Sequence, residues 1–160
     1  PMKSQADTEL CSLAQEIGNF IQYWGFKKIH GQIWTLVFLS DKPLNSTYIT
    51  KKLSVSKALV SLAIKDLLKY EVIEVVERKS KEIYFSSNPD ILKVVTNVLK
   101  NRETVMLEKI KKHHEDLKAF KGTHRLEFKS HPDRVEELGV MIESAQITLR
   151  EMIKNGWNQQ

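Results

Sequence analysis

The chain has 160 residues, 41% hydrophobic and 28% charged, with 25 Lys or Arg against 20 Asp or Glu and a formal net charge of +5. That length holds one core-bearing domain with an extension and excludes two large domains; the balance of apolar and charged groups excludes a disordered chain. No apolar run approaches the roughly 20 residues of a membrane-spanning helix, and the single Cys11 excludes an internal disulfide framework. The opening PMKSQADTEL has no apolar signal core, so a cytoplasmic, reducing location is expected.

Residues 8 to 24 space Leu10, Leu13, Ile17, Phe20, Ile21 and Trp24 with a helical period, and Gly25 ends or bends that helix. A second helix is expected over KKIHGQIWTLVFLS, with Ile29, Ile33, Leu36 and Val37 on one stripe and Trp34 and Phe38 beside it. Asp41, Lys42 and Pro43 stop it. Asn45 or Ser46 caps a short helix ending near Leu53, and Ser54, Val55 and Ser56 form a tight turn, with Ser56 the N-cap of the next helix. Val55 and Val60 are spaced as a hydrophobic staple, which fixes the angle at which that helix leaves the turn.

At about 100° per residue, Val60, Ala63, Ile64, Leu67 and Leu68 gather on one side of this helix, and Ala58, Ser61, Leu62, Lys65 and Lys69 on the other. Residues 72 to 76 and 83 to 85 are strand candidates, joined by a cationic tip with two acids, ERKSKE. Asn88, Pro89 and Asp90 end the hairpin and start a new helix. Ile91, Val95, Val98, Val105, Ile110, Leu117 and Phe120 then hold one stripe over about thirty residues, a length that needs a partner surface. A polar connector follows Lys121 and Gly122. Pro132 and Asp133 open a last helix, on which Leu138, Ile142, Ala145, Leu149 and Met152 form a packing seam.

Two helices, a Ser-Val-Ser break and a hairpin over residues 43 to 85 follow the order of a winged helix-turn-helix. In that arrangement the first helix braces, the second enters the DNA major groove and the hairpin reaches for the backbone. The expected fold is therefore mainly α: a winged helix-turn-helix with a short β-hairpin wing and long terminal helices for dimerisation. The DNA-binding domain is expected at 5–88 and the helical dimerisation region at 89–160. Residues 27 to 85 carry 11 basic and 6 acidic groups, and the remainder carries 14 of each, so the whole net charge falls in and just before the suspected reader. Cations there displace condensed counterions from a duplex.

Lys57, Ala58, Ser61, Leu62, Lys65 and Lys69 are the DNA-facing candidates on the second helix, beside the capping Ser56. Ala58 and Ser61 permit close approach, and lysines bind phosphate or guanine. Leu62 either meets a thymine methyl or packs against a neighbouring helix. Arg78, Lys79 and Lys81 at the hairpin tip, and Lys51 and Lys52 at the end of the bracing helix, are phosphate candidates; a plain charged tip and compensation of the helix dipole are the alternatives.

Tyr23, Trp24, Trp34 and Tyr48 are candidates for an aromatic cage around a quaternary ammonium ligand, set against an ordinary core role. His113 and His114 are adjacent and project about 100° apart, so they cannot chelate as an i, i+4 pair can; joining them to His124 and His131 requires tertiary folding. No metal and no cofactor are expected. Without G-x-S-x-G, a Gly-rich phosphate loop or H-E-x-x-H, no residue is placed in a reaction, and the chain reads as no enzyme.

GNFIQYWGF, then IHGQIWTLVFLSDKPLNSTYITKKL, then VSKALVSLAIKDLLKYEVIEVV and the Tyr84-Phe85 strand resemble the MarR-type winged-helix repressors, and more closely their GbsR-like branch, over Ile17 to about Arg102. The ERKSKE tip departs from the Gly-Asp-Arg type of turn common in the wider family. The resemblance implies a homodimeric transcriptional repressor on a pseudo-palindromic operator in double-stranded DNA, joined through its terminal helices. It also implies a small-molecule effector of choline or glycine betaine type. The alternative is a winged-helix protein-interaction adaptor without specific DNA binding, because fold does not fix function.

Overall fold

Helix α1 (Gln5–Ile21) starts where the Ser4 hydroxyl accepts the Asp7 N–H, at 3.1 Å. It tightens into a 3₁₀ turn over Gln22–Trp24, and Gly25, at φ 82°, supplies the left-handed residue that ends it. The helix expected from residue 8 thus begins earlier and stops being α at Gln22. Residues 4–120 and 128–155 are described by the computed structural model, and the chain divides into two compact units, Pro1–Val94 and Val95–Gln160.

Helix α2 (Lys28–Leu39) is the centre of the first unit. It crosses α1 at two glycines: a Cβ on Gly31 would lie 2.7 Å from the Gly18 Cα, so only bare backbone fits there. Its Ile29, Ile33, Leu36 and Val37 are buried, each burial worth about 1.5–3 kcal/mol. Thr35 returns its hydroxyl to the Gly31 carbonyl at 2.7 Å, which satisfies a polar group inside the core.

After α2 come β1 (Leu44–Asn45), α3 (Ser46–Leu53), α4 (Lys57–Lys69), β2 (Ile73–Lys79) and β3 (Glu82–Ser87). The sheet order is β1-β3-β2, antiparallel throughout, with Leu44 opposite Phe85 and Ile73 opposite Ser87. Buried Leu44, Ile49, Val60, Ala63, Leu67, Ile73 and Phe85 join the sheet base to α2, α3 and α4. This is a winged helix-turn-helix, mainly helical with a small antiparallel sheet.

Strand β1 was not expected, since two residues give no periodicity. The six-residue tip is also corrected: β2 runs to Lys79 and β3 begins at Glu82, leaving a turn of only Ser80 and Lys81. Both have positive φ, 48° and 68°, as a type I′ turn requires. A bulge between Val75 and Glu77 bends the hairpin.

Helix α5 (Ile91–Val98) is capped by the Asp90 carboxylate, which accepts the Leu92 and Lys93 N–H groups at 3.0 and 3.3 Å. A π turn (Leu99–Glu103) follows, closed by the Thr104 N–H on the Leu99 carbonyl, and then α6 (Thr104–Ala119). Helix α7 (Pro132–Asn155) starts with a proline, whose missing N–H costs nothing at that position.

Within the second unit α6 and α7 pack together. His114 Nε2 donates to the Val135 carbonyl at 2.7 Å, Lys118 Nζ meets Glu136 Oε1 at 3.0 Å, and Gly139 makes room for the His114 ring, whose Cε1 would be 2.7 Å from an added Cβ. The buried positions of α7 are Val135, Ile142 and Leu149, one every seven residues. The expected seam is therefore shifted: Leu138 and Ala145 are exposed.

The apolar stripe read along α6 is likewise the outer one, with Val105, Ile110, Leu117 and Phe120 exposed. The half-buried side of α6 is formed by Thr104, Leu107, His114 and Lys118, three of them polar and hydrogen-bonded or ion-paired, so hydrophobic period alone selects the wrong face. The first part of the connector expected after Lys121 and Gly122, through residue 127, lies outside the described residues. No helix among the described residues is long and apolar enough to cross a membrane.

Candidate nucleic-acid interface

Helix α4 is fixed at both ends, by a side-chain cap after a backbone-closed turn at its start and by backbone bonds at its end. Ser54, at φ 56°, donates its N–H to the Lys51 carbonyl and Val55 donates to Thr50, both at 3.3 Å, so the turn between α3 and α4 is a Schellman motif. The Ser56 hydroxyl then accepts the Leu59 N–H at 3.1 Å. At the far end Glu71 is left-handed, φ 57°; its N–H reaches the Leu68 carbonyl at 3.1 Å and Val72 reaches Leu67 at 2.9 Å, with Val72 and Leu67 buried against the core.

Between these caps the inner face is Val60, Ala63, Ile64 and Leu67, all buried. Lys57, Ala58, Ser61, Leu62, Lys65 and Lys69 all stand on the exposed side. Leu62 is 66% exposed, so among the described residues no helix covers it as one reading required. Leu59, 40% exposed beside the cap, joins that surface and was missed because it falls between the two periodic faces.

A second missed pair sits behind α4. His30, 5% exposed on α2, places Nε2 3.0 Å from Asp66 Oδ2 on α4, while its Nδ1 accepts the Lys27 N–H at 3.0 Å. An acceptor at Nδ1 puts the ring proton on Nε2, which donates to the carboxylate. The ring is thereby a strut between the start of α2 and the last turn of α4. A lone His inside an apolar run carried no signal for a partner 36 residues away.

At the wing, Arg78, Lys79 and Lys81 are exposed. Consecutive strand residues alternate, so Arg78 and Lys79 address opposite sides of the hairpin, and Lys79 pairs in register with Glu82. The Glu82 carboxylate accepts from Asn45 Nδ2 at 2.5 Å, Thr47 Oγ1 at 3.3 Å and Tyr84 OH at 3.4 Å. No local pattern in the sequence assigned Glu82 a role.

Lys51 is exposed, but the Lys52 ammonium is engaged: it forms an ion pair with Asp7 of α1, and the Cys11 thiol donates to the Lys52 carbonyl at 3.5 Å. The hydrogen bond from Lys52, then that from Ser4, holds the Asp7 carboxyl below its usual 3.8, and the same bond to Asp7 raises Lys52 above 10.5. Lys52 thus fastens α1 to α3. Lys69 lies 5.8 Å from the Tyr70 ring centre.

The four aromatic candidates stand on three elements. Tyr23 is 90% exposed and Trp24 64%, both on the 3₁₀ turn; Trp34 stacks on Phe38 at 4.8 Å; Tyr48 projects from α3, and no described ring contact joins any two of the four. His113 is exposed and His114 is occupied by Val135, while His124 lies outside the described residues. Among the described residues no three His, Cys, Asp or Glu side chains group to hold a metal.

No family model and no curated protein matches this sequence. Among solved structures the chain is similar to a transcriptional regulator, with a TM-score of 0.69 at 11% identity over 94% of this chain and 99% of that one. A transcriptional regulator from Thermotoga maritima is 16% identical over 95% of this chain and 94% of that one, at a TM-score of 0.41, too loose a superposition to argue from. At these identities the first likeness establishes the shared fold.

Proposed function

We propose that the chain is a sequence-specific DNA-binding transcriptional regulator, a homodimeric repressor of MarR type and GbsR-like branch acting on a pseudo-palindromic operator. The observation that carries this reading is the outer face of α4: small and cationic side chains stand clear of the core on a helix capped at its start by the Ser56 hydroxyl and at its end by backbone bonds. A rigid helix with Lys57, Ser61 and Lys65 outward suits a major groove, and Arg78, Lys79 and Lys81 suit the flanking backbone. The regulator whose fold this chain shares supports the same reading.

In this proposal residues 5–88 read DNA and residues 89–160 dimerise. The exposed Met106, Ile110, Leu138 and Met141 of the second unit support a helical partner surface. Two copies would set their α4 helices about one helical turn apart, roughly 34 Å. An effector of choline or glycine betaine type would act by changing that separation, and titration of the dimer with each compound tests it.

The deciding experiment is selection of duplexes from a random pool at two salt concentrations. A palindromic consensus with steep salt dependence is the expected result. Flat, weak binding would overturn it in favour of a protein-interaction adaptor.

A further inference from the structure

We infer that Glu82 is a positioning residue: its carboxylate latches the tip of the wing to the amino end of α3 and so sets where Arg78, Lys79 and Lys81 stand against a duplex. The inference rests on the DNA-binding reading above.

Glu82 is the first residue of β3, directly after the two-residue turn. Its Oε2 accepts from Asn45 Nδ2 at 2.5 Å and from the Tyr84 hydroxyl at 3.4 Å, and its Oε1 accepts from Thr47 Oγ1 at 3.3 Å. Asn45 is itself committed, because its Oδ1 accepts the Tyr48 N–H at 2.8 Å as the cap of α3. One amide therefore joins the helix start to the hairpin tip, and an amide pinned at both ends leaves little play.

Backbone pairing cannot do this. The β1–β3 ladder ends where Asn45 faces Tyr84, two residues short of Glu82. Beyond that point the wing is a bare two-stranded hairpin, a structure of marginal stability in water. Side-chain bonds from Glu82 carry the attachment to the residue next to the turn.

The charge is what makes the position informative. A carboxylate beside Lys79, Lys81 and Arg78 repels an approaching polyanion, so electrostatics alone says that removing it tightens DNA binding. A latch says the reverse. The negative group is also favourable at the amino end of α3, where the helix dipole welcomes it.

The test uses the full chain with Glu82→Ala, Glu82→Gln and Thr47→Val, on a duplex that the wild-type chain selects from a random pool and on a mixed-sequence duplex. Glu82→Ala is expected to weaken binding to the selected duplex roughly tenfold, the scale of one charge-assisted hydrogen bond. It should also flatten the slope of log affinity against log salt by about 0.9 for each phosphate that the wing no longer neutralises. Glu82→Gln, which keeps an acceptor for Asn45, should recover most of the affinity, and Thr47→Val should fall between. Lys81→Ala should cost less in the Glu82→Ala background than in the wild type.

Amide exchange at residues 80–83 in the free protein provides a readout that needs no DNA, and it should accelerate in Glu82→Ala with the rest of the unit unchanged. Binding by Glu82→Ala as tight as or tighter than wild type, with Lys81→Ala costing the same in both backgrounds, overturns the inference. If the wild-type chain binds no duplex, the DNA-binding reading falls and the positioning role with it. Accelerated exchange would then still establish that Glu82 holds the hairpin.

Discussion

His30 Nε2 stands 3.0 Å from Asp66 Oδ2, and the opposite ring nitrogen takes the Lys27 N–H at the same distance. One buried imidazole thus serves a helix start and the helix that presents Lys57 and Lys65. Removing the ring leaves two polar groups without their partner and a void; removing the half-exposed carboxylate returns one ring N–H to search for water. His30→Ala is expected to lower unfolding stability by about 1–3 kcal/mol and Asp66→Ala by about 1 kcal/mol. Urea unfolding of both variants and of the double variant checks this, and a double variant costing the sum of the two would show that the pair does not act together.

Ser54 holds a left-handed conformation at φ 56° in the turn that separates α3 from α4. A residue with a Cβ is strained there by about 1–2 kcal/mol, and glycine is not. Ser54→Gly is expected to raise the thermal midpoint, with a net gain of about 0.5–1 kcal/mol after the added freedom of the unfolded chain is counted. Ser54→Val should do the opposite. Calorimetry on the three chains decides the order.

The ion pair of Asp7 with Lys52 gives stability a pH window. Asp7 is held below its ordinary 3.8, so its contribution is present above that value and lost as pH falls through the lowered one. Lys52 is held above 10.5, so its contribution is present below that value and lost as pH rises through the raised one. Asp7→Asn should therefore weaken the junction of α1 and α3 at neutral pH and lose less stability than wild type on acidification below 3.8. Unfolding midpoints measured across the acid range provide the comparison.

Lys57→Ala and Lys65→Ala are each expected to weaken duplex binding across sequences and to make the salt dependence shallower by about 0.9 in log–log slope. Leu62→Ala, which removes an apolar group 66% exposed on the same face, should alter sequence preference and leave that slope alone. Fluorescence anisotropy at several salt concentrations separates the two effects.

The parts legible in the sequence are those made by neighbours along the chain. Ser56 as a cap, the buried side of α4 and its opposite cationic face all follow from positions within one helix, where period and capping chemistry act directly. His30 with Asp66, and Glu82 with Asn45, join residues 36 and 37 positions apart, and no local pattern announces them. The outer half of β2 reads as loop because Glu77, Arg78 and Lys79 are all exposed and show no alternation. Its pairing with β3 makes it a strand. The inner side of α6 escapes for a related reason: His114 and Lys118 face α7 through polar bonds, which a search for apolar stripes passes over.

The π turn at Leu99–Glu103 closes on the fifth residue back, where an α-helix closes on the fourth, so it houses one residue more than a regular turn. Deleting a single residue there would leave a plain helix and keep every later side chain of α6 at its present angle, because the wider turn already takes up the extra step of about 100°. A deletion in the regular part of α6 ahead of His114 has no such slack: His114 and Lys118 would swing away from Val135 and Glu136, and a different side of α6 would meet α7. The extra peptide unit therefore acts as a store of length, where the helix can lose a residue without turning its later face.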